Sequence, residues 1–510
     1  MNLETLIQQM QQPEFYPHPV QNPITVMQTH TSCVFLTGEY AYKVKKPVNF
    51  GFLDYSTLEK RQHFLGAELD MNQETAPDLY LEVLPLTQDG EKLAIEGSGE
   101  VVDYALKMRQ FPQSVLFSEM LEQGELSPQH IIELGQVVAE FHKTSKTNPY
   151  IDRFGEVEQI KQAVDENYQQ TESYIGTAQS LEQFKNTKAF TDQFFATQGE
   201  LFKQRQKAGK IRECHGDLHL RNICFWQGKV QLFDRIEFNE PFRFVDTFYD
   251  VAFAIMDLDA RGRKDLGNLF LNTYLEVTAD WEGLQVLPLY LSRQAYVRAK
   301  VTSFLLNDPN IPESEREKAL ETAKKYYKLA DDYTKAKPGQ LILMSGLSGA
   351  GKTTVARHIA QGLQGIHLRS DAVRKHLAGI ALNERGSDDL YTPEMNQKTY
   401  ERLAEVGIYL ANLGYSVVLD AKYDRLAWRS PLFDQKSRFR VTVVYCSAPL
   451  EVLRDRLQQR VGDISDATVD LLQSQQANFE DFTATEREHL VEFDTTQGEV
   501  AQLLSQLERE

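Results

Sequence analysis

Gly346-Leu347-Ser348-Gly349-Ala350-Gly351-Lys352-Thr353 satisfies the pattern G-x-x-x-x-G-K-[ST], and Thr354 continues it. The apolar run 341–345 precedes it and the amphipathic run 355–363 follows, so the motif sits where a strand passes into a helix. Glycines let backbone N–H groups converge on phosphate oxygens, and the following helix adds the positive end of its dipole. Lys352 then stands to neutralise β and γ oxygens, and the Thr353 hydroxyl to bind magnesium. A plain glycine turn would not need these flanks.

Outward from that loop, apolar runs at 341–345, 365–368, 416–420, 441–446 and 490–493 alternate with helical ones. The alternation predicts a five-stranded parallel sheet covered on both faces. Thr392, Pro393 and Gly414 punctuate one helix as cap, first position and stop. Ser370-Asp371-Ala-Val-Arg374-Lys375 sets a carboxylate at a strand end and two cations one turn later. Asp371 can accept the proton of an attacking hydroxyl while Arg374 and Lys375 hold an anionic acceptor. Helix capping by Ser370 or Asp371 accounts equally well for that spacing alone. Asp420 ends the strand begun by Val417-Val-Leu, a position from which a carboxylate holds magnesium. Arg456 and Arg460 share a helix face and can close on a transferring phosphoryl group; pairing with Glu451 or Asp455 is the plainer alternative.

A second constellation lies upstream. His215-Gly-Asp217-Leu-His-Leu-Arg-Asn222 has the spacing H-x-D-x-x-x-x-N, and the apolar run 230–233 leads to Asp234. In kinase chemistry one aspartate receives the acceptor proton, while the asparagine and the second aspartate hold magnesium on the nucleotide phosphates. The interval from Asn222 to Asp234 fits a hairpin turning at Gln227-Gly228. Nearer the N-terminus, runs 34–36 and 41–44 read as strands joined at Gly38-Glu39. Lys43 and Lys45 fall on one face of the second strand, and either can reach phosphates. Glu68, in the helical run 61–72, is a candidate partner for that lysine, and 101–110 a strand and hinge along the adenine.

From Gln340 onward the sequence resembles the P-loop kinases that include polynucleotide kinases, zeta toxins, gluconate kinase and chloramphenicol phosphotransferase. The likeness runs through the phosphate loop, the Ser-Asp-x-x-Arg-Lys step, the Val-Val-Leu-Asp strand and Arg456 with Arg460. It implies Asp371 as general base and Arg374 as an acceptor-binding cation. Residues 33 to about 335 resemble the aminoglycoside phosphotransferase-like kinases, with their α+β two-lobed, protein-kinase-like fold. That likeness implies Asp217 as catalytic base, Asn222 and Asp234 as magnesium ligands, Lys43 ahead of Lys45 as phosphate lysine, and Asp250 as a buried brace of the catalytic loop. The whole resembles bifunctional fusions of such a kinase with an ATP-binding AAA-family domain. Two departures, the missing G-x-G-x-x-G loop and Arg235 after Asp234 where protein kinases have Phe-Gly, argue against a protein kinase with a switchable activation segment.

Composition bounds the partners. The chain has 510 residues, 42% of them apolar, and 55 basic against 73 acidic side chains give a net charge of -18. That supports two domains, 1–335 and an α/β P-loop domain 336–510, divided at the turn Lys335-Ala-Lys-Pro-Gly339. It also argues against broad adhesion to nucleic acid or anionic membrane. Cys33, Cys214, Cys224 and Cys446 are scattered without metal-binding spacing, as reduced buried thiols would be. Residues 1–15 lack a cationic start and an apolar stretch, and no run of about 18 apolar residues occurs, so a cytoplasmic location is expected. The sequence therefore predicts an ATP- and Mg2+-dependent phosphotransferase with two nucleotide sites, acting on hydroxyls of small-molecule acceptors, with phosphorylated or anionic ones among the candidates. Two other readings stay open: one domain regulates the other, or the cluster Arg369, Arg374, Lys375 and His376 marks an end kinase for short nucleic acid.

Overall fold

The structure, a computed structural model, describes residues 3–51, 53–309, 311–459, 464, 469 and 471–509. The chain packs as two compact units, Met1–Glu166 with Asp192–Asp257, and Asn167–Thr191 with Leu258–Glu510. The turn at 335–339, where the sequence texture changes, thus lies inside the second unit, because helices before it pack on strands after it.

Unit one opens with β1 (Thr25–Gln28), β2 (Ser32–Leu36), β3 (Tyr40–Lys45), β4 (Tyr80–Asp89), β5 (Lys92–Ile95) and β6 (Glu100–Arg109). They form one antiparallel sheet in the order β1-β2-β3-β6-β4-β5. Alternation along β3 sends its apolar and cationic side chains to opposite faces of this sheet. Tyr42 and Val44 enter an apolar core with Phe35, Leu84 and Leu86, while Lys43 and Lys45 meet the helix Leu58–Gln73 on the other side. Thr57 starts that helix, its hydroxyl accepting from the Lys60 backbone N–H at 3.3 Å.

Further on, β7 (Ile211–Glu213) enters the His215 loop, and β8 (Ile223–Trp226) and β9 (Lys229–Leu232) form the expected hairpin. Its turn residues Gln227 and Gly228 both have positive φ, as a tight hairpin turn requires. β10 (Phe244–Asp246) returns antiparallel to β7 and leads into the helix Thr247–Ala260, whose side chains are nearly all buried. That helix carries Asp250 under the His215 loop.

In unit two, β11 (Gln340–Ser345), β12 (Ile366–Arg369), β13 (Ser416–Asp420), β14 (Arg440–Ser447) and β15 (Leu490–Asp494) pair in parallel in the order β12-β13-β11-β14-β15. Leu341, Ile342, Leu343 and Met344 are all fully buried, as a strand covered on both faces demands. Crossovers leave central β11 towards β12 and later pass from β13 to β14 on its other side. The crevice at its carboxyl end is the place where such sheets bind ligands. The edge of β12 is closed by side chains of the helix Lys264–Thr278: Asn268 and Asn272 donate to Gly365 O at 2.9 and 3.1 Å, and Asn272 Oδ1 accepts from His367 N at 2.7 Å. All four cysteines are buried, and among the described residues no helix is long and apolar enough to cross a membrane.

Candidate active sites

In unit one, β3 and the helix Leu58–Gln73 bring Lys43 Nζ to 2.7 Å from Glu68 Oε1, and the segment after β9 brings Asp234 Oδ1 to 2.9 Å from the same ammonium. Glu68 is fully buried, whereas the Asp234 side chain is 48% exposed, so the lysine joins a fixed carboxylate to an open one. Burial opposes the charge on Lys43, but Asp234 and Glu68 outweigh it and lift its pKa well above the ordinary lysine value. Burial pushes Asp234 up and Lys43 pulls it down, for a net value below the usual carboxylate range. Asp234 adopts φ 60°, uncommon for a side chain with a Cβ, and its backbone N–H donates to Tyr80 OH at 3.1 Å.

The loop holding Asp217 is fixed from below. Asp250, fully buried, accepts from His215 N at 2.6 Å, Gly216 N at 2.9 Å and His142 Nε2 at 3.2 Å. His215 in turn donates its Nε2–H to Phe233 O at 2.9 Å, so the catalytic-loop candidate and the Asp234 segment are tied together. Gly216 has φ +86°, and a Cβ there would lie 2.6 Å from Phe242 O, so no other residue fits this close approach. Asn222 donates its amide nitrogen to Asp217 O at 3.0 Å, which leaves its side-chain oxygen as the atom suited to a hard cation, as the Asp234 carboxylate also is. That donor chemistry fits magnesium.

In unit two the phosphate loop lies at the carboxyl end of β11, and Gly351 precedes the helix Lys352–Leu363, whose first N–H groups lack partners within the helix. A Cβ on Gly346 would sit 2.3 Å from Cys446 O, so the loop can pass over β14 only as glycine. The loop opens on a cavity of about 1150 Å³ lined by Ser348, Gly349, Gly351, Lys352, Thr353 and Thr354. Asp371, Arg374, Asp420 and Arg456 also line it, whereas Ala350 and Leu347 pack into the apolar core and, like Gly346, are not part of the lining. Lys352 donates to the carbonyls of Gly346 and Leu347 at 2.9 and 2.8 Å, and burial holds its pKa below the ordinary value. His367 Nε2 donates to Asp420 Oδ2 at 3.0 Å; burial raises the Asp420 pKa, but this bond and the nearby cations bring it below the usual range.

Some assignments change on the structure. Asp371 lies in the first turn of the helix Ser370–Ala378 without capping it, and pairs with Arg374 at 3.0 Å. Arg374 is buried, donates to Asn396 Oδ1 at 3.0 Å and stacks on Tyr391. Lys375, expected beside it on the acceptor, points the other way: its ammonium is buried and donates to Leu382 O and Glu384 O, because the next helical position faces a loop that needs donors. Lys45, the alternative phosphate lysine, is 1% exposed and enclosed by Glu68 and Glu237, so it cannot reach a nucleotide. Arg456 donates to Thr495 Oγ1 at 2.8 Å and faces the cavity; Arg460 lies outside the described residues. Sequence reasoning missed Glu237, Tyr55 and His142, whose importance comes only from long-range packing. It also missed the work of Arg235, which is buried and donates to Met71 O at 2.6 Å and to Glu74 Oε2 at 2.8 Å, tying the Asp234 segment to the Glu68 helix.

A lysine shared by a buried glutamate and an open aspartate, over a braced His-Gly-Asp loop, defines a protein-kinase-like unit; the glycine cradle on a parallel sheet defines a P-loop unit. The chain is a fusion of the two. A family model described as an AAA domain matches residues 341–482. Uncharacterized protein Rv2004c of Mycobacterium tuberculosis is 30% identical over 464 residues, which span 89% of this chain and 90% of that protein, and this chain belongs to its family. Among solved structures, a sugar kinase from Janibacter is 25% identical, covering 33% of this chain and 92% of its own at a TM-score of 0.26. Amicoumacin kinase hAmiN, solved in complex with AMP-PNP, Ca2+ and Ami, is 12% identical, covering 64% of this chain and 94% of its own at a TM-score of 0.39.

Proposed function

We propose that the chain is an ATP-dependent phosphotransferase with two nucleotide sites, each passing the γ phosphate to a hydroxyl of a small-molecule acceptor. The two activities divide between residues 1–335 and 336–510 and draw on cytoplasmic ATP. The observation that carries the reading is the Lys43–Glu68–Asp234 ion triad, assembled from segments far apart in sequence around one partly open ammonium. At this site Lys43 holds phosphate oxygens, Asp217 takes the acceptor proton, and Asn222 and Asp234 offer oxygens to magnesium. When bound, the metal neutralises phosphate charge. At the second site Lys352 and the loop N–H groups hold the phosphates, Thr353 and Asp420 suit the metal, and Asp371 receives the acceptor proton. Arg456 faces the transferring group. Arg374, Arg385 and Arg425 around the same cavity favour an acceptor bearing carboxylate or phosphate.

The test is a metabolite screen with γ-labelled ATP on the parent chain, Asp217→Ala and Lys352→Ala. One labelled product lost only with Asp217→Ala and another lost only with Lys352→Ala is the expected result. Unchanged labelling in both variants contradicts the reading.

A further inference from the structure

Behind the first site lies a second ammonium that the nucleotide chemistry does not use. Lys45 Nζ, on the same face of β3 as Lys43, is 2.7 Å from Glu68 Oε2 and 2.6 Å from Glu237 Oε1. Tyr55 donates to the same Glu237 oxygen at 2.6 Å and lies 3.3 Å from the Lys45 ammonium. Lys45, Glu68, Tyr55 and Glu237 are each less than a tenth exposed, so these charges have little water to screen them. Glu68 therefore divides its two oxygens between two lysines, Oε1 to Lys43 and Oε2 to Lys45. Glu237 comes three residues after Asp234, so a single ammonium ties the metal-site segment to the helix that orients Lys43.

We propose, resting on the nucleotide reading of the first site, that Lys45 and Glu237 are positioning residues: they hold Glu68 in place so that Lys43 can leave Asp234 for phosphate without losing its own anchor. Lys43 has two carboxylate partners, and one of them, Asp234, must turn to the metal when nucleotide binds. Glu68 keeps Lys43 aimed while Lys45 neutralises the neighbouring Glu237 carboxylate, which would otherwise draw Lys43 away. Taking Lys45 away leaves Glu68 and Glu237 buried with one cation to share, and Glu237 then competes for Lys43. Removing the Glu237 charge as well takes the competitor away.

The measurement is the affinity of the full chain for a magnesium complex of a fluorescent ATP analogue, in a Lys352→Ala background that silences the phosphate loop. Lys45→Met is expected to raise Kd about tenfold, and Lys45→Met with Glu237→Gln to bring it back within about threefold of the parent. A purely structural pair would lower the melting temperature and leave Kd alone. If Lys45→Met does not fold, Glu237→Gln, which keeps volume and a bond to Tyr55, still reports: its expected rise is about threefold. An unchanged Kd in the folded single variants, or a double variant no better than Lys45→Met, overturns the proposal. A Lys352→Ala parent that binds no nucleotide refutes instead the functional reading beneath it.

Discussion

Replacing Asp250 by alanine removes the acceptor under the His215 loop. Three donors lose their partner at once: the backbone N–H groups of His215 and Gly216, and His142 Nε2. A buried donor left unpaired costs about 1–3 kcal/mol, and with some relief from relaxation the total comes to about 3–6 kcal/mol. For a unit of this size that corresponds to a fall in melting temperature of roughly 10 °C, and Asp217 loses its placement with it. Asp250→Asn should fall less, since one oxygen still accepts while its amide faces a backbone donor. The pH dependence has a definite sign. Burial raises the Asp250 pKa, but His142 and the loop N–H groups outweigh it and hold it below the ordinary value. A carboxyl depressed in the folded state stabilises fully above its unfolded value of about 3.9, and that stability is lost as pH falls through the folded value. The gap between parent and Asp250→Asn should therefore be widest near neutrality and close in acid. Thermal melts from pH 7 to 3, with labelling through the Asp217 site as second readout, check this. A parent-like melting temperature for Asp250→Ala at pH 7 would refute the bracing role.

Three further outcomes rest on local geometry. Gly346→Ala should lose nucleotide binding at the phosphate loop, because its Cβ would meet Cys446 O; equilibrium binding in an Asp234→Ala background reads it, and parent-like affinity sinks the cradle argument. Arg235→Met should destabilise unit one by about 1–3 kcal/mol, chiefly by leaving the Met71 carbonyl without its donor, since Glu74 is partly exposed and keeps Lys146; a lower urea midpoint reads it. Asn268→Leu with Asn272→Leu should strip the edge of β12 of its partners, costing about 1–3 kcal/mol for each orphaned group; light scattering should show self-association that the parent lacks.

Local signals carried much of this molecule. The five parallel strands and the glycine loop were readable because a doubly covered sheet needs unbroken apolar runs and a phosphate loop needs glycines at fixed places. The hairpin before Asp234 was readable from Gln227-Gly228, since few residues tolerate its positive φ. Edge strands β1 and β5 were not, because β1 is largely exposed, both have only four residues, and neither shows a pattern of its own. Spacing on β3 put Lys43 and Lys45 on one face but could not rank them. The resemblance put Lys43 first, and the physical reason came from Glu237, which encloses Lys45 from 192 residues away, together with nearby Tyr55. Lys375 was misread for a related reason: one step around a helix turns a side chain from a cavity to a supporting loop, and the spacing from Asp371 did not settle which. The overall charge of -18 takes on a local meaning too, because each site sets a few placed cations against an acidic background.

The most direct test is the stoichiometry of Mg2+–ATP-analogue binding to the full chain by calorimetry. Two equivalents are expected for the parent, one for Lys352→Ala and one for Asp234→Ala with Asn222→Ala. A single equivalent in the parent, lost entirely in one variant and unaltered in the other, would contradict the account of two nucleotide sites.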